Sequence, residues 1–318
     1  MSSALIFANT VAEYESSRLL TPPLLKQIAG GNFKDAVERL KDLNYLTQSD
    51  TVLNIDLDAL YFNKIKQLND FLAEYSSSAE LNRFLLSFYY YADAKALFNY
   101  YKNKDEFYPK LYLDNPVLID SFSQNIFDGL PPSLKNVILT IDNNANQKDI
   151  DLIFIKAMHL DKLAFAKKLG KGFVAFAKAE IDLANILSCY RAKKLNIDYS
   201  SFKQELIGNG EIELDDIAAA LNDKNDFNSM LELLRSTDYE NVAFALSKND
   251  LTNFKKHSAA LLDESLQKEY SKHLKYGPLA KFVFEFITQI KTINYILVAL
   301  KNNISFNFDD VYLEVALA

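Results

Sequence analysis

The residues able to do chemistry are few and scattered. The 318-residue chain holds three histidines, one cysteine and no tryptophan. His159, His257 and His273 have no cysteine or carboxylate at metal-ligand spacing, and a zinc site needs three or four N, S or O ligands. The stretch LGKGF (169–173) has two glycines and a lysine. It lacks the G-x-x-x-x-G-K-S/T frame, and no strand pattern precedes it to converge backbone N–H groups on a phosphate. It reads as a helix end followed by a new helix. The acid pairs Asp215–Asp216 and Asp309–Asp310 do not extend to a magnesium-binding D-D-x-x-D motif, because Ala219 and Leu313 stand at the third position. No Ser/His/Asp or Cys/His set stands out. Neither a cofactor nor a small-molecule substrate is expected.

A different polar pattern is conspicuous. In AEIDLANILSCYRAKK (179–194), Asp182, Asn185 and Cys189 fall on one helical face beside Ile186. An acid and an amide inside an apolar helix are costly unless hydrogen-bonded. The same stretch has counterparts. In YYYADAKALFNYYKNK (89–104), Tyr90 and Asp93 hold the equivalent positions, followed by Lys95. In ITQIKTINYILVALKNN (287–303) they are Gln289 and Thr292. An active site is not built three times with different side chains. The pairs are therefore expected to be structural, satisfying each other or a facing helix and fixing helix register. Cys189 is expected to be a small buried apolar residue.

Two further blocks recur in the same order. FKDAVERLKDLNY (33–45) aligns without gaps with FNSMLELLRSTDY (227–239), matching Phe33 with Phe227, Glu38 with Glu232, Leu40 with Leu234 and Tyr45 with Tyr239. FDGLPPSLKNVIL (127–139) keeps a fainter version. DLDALYFNKIKQL (56–68) matches DIDLIFIKAMHL (149–160), with a third copy beginning near Asp263 in DESLQKEYSKHL. The period is roughly 93 to 107 residues, far longer than the 20 to 50 of solenoid repeats. It divides the chain into approximate repeats at 1–125, 126–225 and 226–318, within a single domain spanning 1–318.

The elements carrying these positions are helices. Glycine numbers 8 and proline 7, both well below ordinary usage, and helix interiors exclude these residues most strongly. The spacing predicts long helices over 56–75, 79–103, 149–168, 173–194, 257–273 and 278–302. Shorter ones are expected over 10–20, 33–43, 132–141, 212–222 and 226–235. No run of strands is apparent, so the fold class is all-α. The single cysteine points to a reducing compartment. The start MSSALIFANTVAEYESS lacks the basic and apolar regions of a signal peptide. The most apolar stretch, 281–300, is interrupted by Glu285, Gln289 and Lys291 and reads as a buried helix rather than a membrane span. A net charge of −7 argues against nucleic acid as a partner.

Four stretches resemble the C/d family of proteins from A-type and V-type rotary ATPases. VAEYESSRLLTPPLLKQI resembles the family's opening helix and its Leu-Leu-Thr step. EIDLANILSCYRAKKLNID resembles its Asp-x-x-Asn helix with Arg-Ala-Lys. FKQELIGNGEIELDDIAAAL resembles its Leu-Ile-x-x-Gly-Gly segment, with Asn209 in place of one glycine. KYGPLAKFVFEFITQIKTINYILVALKNNI resembles its Phe-Gly-Pro opening and closing helix. That helix usually reads Glu-Ile-Lys-Asn-Ile-Arg, whereas here it reads Gln289, Ile290, Lys291, Thr292, Ile293 and Asn294, without the Glu and Arg charges. The resemblance implies three pseudo-three-fold related helical repeats forming a funnel without catalytic activity. It implies a central-stalk rotor component, cytoplasmic and peripheral to the membrane, that couples the central axle to the membrane ring for proton or sodium transport. A helical-repeat scaffold for unrelated protein partners is the alternative.

Overall fold

The computed structural model describes residues 3–103, 107–142, 145–222, 228–270, 275–309 and 311. His273, Asp310, Leu313 and Phe227 lie outside them. Among the described residues the chain is helical with no strand. In order, the helices are α1 (Ser3–Ser16), α2 (Pro22–Ala29), α3 (Phe33–Asp42), α4 (Leu57–Tyr75), α5 (Ala79–Leu85), α6 (Ser87–Asn103), α7 (Pro116–Gln124) and α8 (Pro132–Thr140). Then come α9 (Gln147–Leu169), α10 (Lys171–Lys194), α11 (Tyr199–Phe202), α12 (Leu214–Asn222), α13 (Asn228–Leu234), α14 (Glu240–Ser247), α15 (Leu251–Tyr270) and α16 (Gly277–Lys301).

Local sequence explains where the helices start and stop. Asn32, Asp56, Ser78, Asn115 and Asn146 each accept the backbone N–H three residues on, satisfying a donor that the first turn leaves open. The ends use asparagine more than glycine. Asn44, Asn125, Asn196, Asn249 and Asn303 all adopt positive φ. The next residue's N–H then reaches back five positions, as in Tyr45 to Leu40, Ile197 to Ala192 and Ile304 to Ala299. This is the left-handed helix end usually given to glycine, and asparagine tolerates it. It explains how a chain so poor in glycine stops its helices so often.

The chain divides into two compact units, Met1–Ser77 with Tyr270–Ala318, and Ser78–Glu269. The first is organised around α16, against which α1, α2, α3 and α4 pack. Its core joins Leu25, Ile28, Val37 and Leu40 to Ile293, Ile296, Leu297 and Phe308. Each such side chain contributes about 1.5–3 kcal/mol on burial. α16 is long and apolar enough, by length and composition, to cross a membrane. Here its apolar residues Leu279, Phe282, Ile290 and Ile293 are buried within this unit. Asn9 on α1 donates to the Lys275 carbonyl at 2.7 Å, fixing the start of α16.

The second unit is organised around α9, which packs on α5, α6, α8 and α10. Phe84 meets Phe173 edge-on at 5.2 Å. Lys162 is buried with its ammonium 5.1 Å from the Phe84 ring and 5.0 Å from the Phe176 ring. The charge is balanced by Glu180 at 2.6 Å. α10 approaches α15 closely at Gly172, where an added Cβ would lie 2.4 Å from Glu269 Cγ and 3.0 Å from the Ser265 carbonyl oxygen. Gly172→Ala should therefore cost about 1–3 kcal/mol by overpacking. Thermal unfolding at unchanged stability would contradict that contact.

Three expected helices differ in extent, and the one expected over 257–273 begins earlier, at Leu251. The helix expected over 79–103 is broken at Leu86 into α5 and α6, where the Ser87 hydroxyl donates to the Phe84 carbonyl at 3.1 Å. Such a bond competes with the helical ladder. The helix expected over 10–20 runs instead from Ser3 to Ser16. It cannot continue to residue 20, because the Leu20 N–H is taken by Gln289.

Candidate functional site

The polar positions on the long helices bind backbone. Asp93, buried on α6, accepts the Tyr112 N–H at 2.7 Å and the Leu113 N–H at 2.8 Å. Asp182, wholly buried on α10, accepts the Glu211 N–H at 2.8 Å, the Ile212 N–H at 3.3 Å and the Tyr239 hydroxyl at 2.8 Å. Asn185 makes a two-way pair with Ile207, giving its amide N–H to the carbonyl and accepting the N–H, both at 2.8 Å. On α16, Gln289 Oε1 accepts the Leu20 N–H at 2.5 Å. The sequence suggested that the pairs satisfy each other or a facing helix; their partners lie chiefly in connecting segments instead. Each holds a non-helical segment just ahead of a connecting helix: Leu20 before α2, Leu113 before α7, Ile212 before α12.

The remaining positions differ. Tyr90 is buried, and desolvation pushes its hydroxyl up to about 12. Thr292 is wholly buried and its hydroxyl has no hydrogen-bond partner among the described residues. Lys95 is partly exposed and pairs with Asp151 at 2.9 Å. A pair so accessible to solvent contributes little, about 0–1 kcal/mol.

One residue of this kind escaped the sequence reading. Asp161 on α9 is buried and accepts the Ser133 N–H at 3.0 Å, the Leu134 N–H at 3.1 Å and the Tyr91 hydroxyl. This repeats the Asp182 arrangement of two successive backbone donors and one tyrosine. Its neighbour Lys162 hid it, since an acid next to a lysine reads as an ordinary surface pair. The only available signal was the regular spacing of apolar residues around it.

Electrostatics follow burial. Desolvation raises the Asp93 carboxyl to about 6, against the pull of its backbone donors. Asp182 is raised for the same reason, opposed by Tyr239 and the two N–H groups. Burial lifts the Cys189 thiol to about 12, so it is not a thiolate nucleophile at neutral pH. Desolvation lowers His159 to about 4, so it is neutral.

The sign of the Asp93 effect is testable. A carboxyl raised in the folded state binds its proton more tightly there than in the unfolded chain. Its stabilising contribution is complete below about pH 4 and is lost as pH rises towards about 6. Compared with Asp93→Asn, the wild type should lose about 2 kcal/mol of relative stability across that window. Urea unfolding at several pH values checks this, and a relative gain with rising pH would contradict it.

The open clefts do not gather these residues. A cleft of about 480 Å³ is lined by Gln27, Gly30, Gly31, Asp35, Glu38, Arg39 and Asp42. Another, of about 330 Å³, is lined by Lys167, Gly170, Lys171, Val174, Ala175 and Glu211. Neither lining contains a histidine, cysteine, serine or threonine. No group of three or more His, Cys, Asp or Glu residues among the described residues has metal-binding geometry. Gly170, in LGKGF, has φ 143° and separates α9 from α10. Asp215 and Asp216 sit in the first turn of α12, where acids suit the helix dipole. Asp309 pairs with Lys26 at 3.0 Å. The buried carboxylates Asp93, Asp161 and Asp182 are therefore clasps on backbone, and none of them lines either of these two clefts.

Comparison with curated proteins gives no match. The family model of the ATP synthase (C/AC39) subunit, by contrast, matches residues 8–307, and with nearly the whole all-helical chain covered, this protein belongs to the C/AC39 subunit family of V/A-type ATP synthases.

Proposed function

We propose that the chain is a non-catalytic central-stalk component that couples the axle of a V/A-type ATPase to its membrane ring. It works at the cytoplasmic face, reaching the membrane through the proteins of the ring and using no cofactor. The observation that carries this reading is the use of one structural device on three long helices, one in each proposed repeat, with Asp161 on α9 a further clasp of the same kind. Asp93 on α6, Asp182 with Asn185 on α10, and Gln289 on α16 each clasp the backbone before a connecting helix. This recurrence supports three helical repeats, over about 1–125, 126–225 and 226–318, arranged as a pseudo-three-fold funnel. The third clasp reaches back to Leu20, in the first repeat. A part that transmits torque needs connectors that do not slip, and buried hydrogen bonds supply that at about 1 kcal/mol or more each.

The loss of charge in the closing helix fits this role. Gln289 keeps an oxygen acceptor for the Leu20 N–H without burying a carboxylate. Affinity purification of the tagged chain from native membranes tests the assignment. Proteins of the catalytic head and of the ring should co-purify with it. Recovery with unrelated proteins alone would overturn it.

A further inference from the structure

We draw no further inference here: the strongest candidate, the aromatic surface patch of the second unit where Tyr101, Phe107 and Tyr108 stand exposed beside α7, carries nothing because nothing in the structure shows what covers it.

Discussion

Asp182→Ala is expected to destabilise the protein by about 3 kcal/mol while removing no chemical activity. The substitution strands three donors at once: the part-buried Glu211 and Ile212 N–H groups and the buried Tyr239 hydroxyl. Removing one partner of a buried hydrogen bond costs about 1–3 kcal/mol for the group left behind. Part of that loss is offset, because the carboxylate no longer has to be desolvated, and its raised pKa shows that desolvation dominates there. Asp182→Asn should fall between the two, since its oxygen can serve one donor while its amide N–H groups oppose another. Urea unfolding monitored by circular dichroism measures the series. Wild-type stability in Asp182→Ala would mean that the clasp holds nothing.

Gly210→Ala is expected to be at least as damaging, at about 3 kcal/mol or more. A Cβ on residue 210 would fall 1.9 Å from Asp182 Oδ1 and 2.8 Å from its Cγ. The carboxylate cannot swing aside without giving up its donors, so the loop must move. The two substitutions should therefore couple. With the carboxylate gone, the methyl group has space, and the double variant Asp182→Ala, Gly210→Ala should be clearly more stable than the sum of the single losses. Additive losses would show that the two residues do not press on each other. The glycine here serves close approach, since its φ is not positive, whereas Asn209 beside it carries the left-handed turn at φ 72°. Asparagine in place of a glycine is tolerated at that position for the same reason that it ends five helices elsewhere.

The long helices were legible in the sequence because apolar periodicity persists over many turns. α4, α9, α10 and α16 begin and end within about two residues of the expected limits. α2 and α7 were not legible. Their opening prolines, Pro22, Pro23 and Pro116, look like breaks, although proline in a first turn costs no backbone bond. α14 was too short to show a period. The asparagine helix ends were missed for a related reason, since a lone Asn carries no signal until its φ is known.

The polar clasps divide in the same way. Asp182, Asn185 and Asp93 were legible as polar intrusions on apolar helices. Their partners were not, because a backbone N–H leaves no mark on residue identity. The sequence suggested that the pairs satisfy each other or a facing helix, and the structure shows bonds chiefly to loop backbone, with the Tyr239 hydroxyl added at Asp182. Tyr239 could have been found, since its block repeats that of Tyr45. Yet the two tyrosines do different things: Tyr239 bonds Asp182, while Tyr45 lies under the Lys64 ammonium at 4.3 Å. A repeated residue fixes a place in the fold without fixing its contacts.

The central claim is that this protein couples the ATPase motor mechanically and takes no part in its chemistry. Depleting the protein in its host and measuring both activities of the complex tests this most directly. ATP hydrolysis by the soluble head should persist, while ATP-driven ion transport across the membrane is lost and returns when the protein is restored. Unchanged ion transport after complete removal would contradict the account.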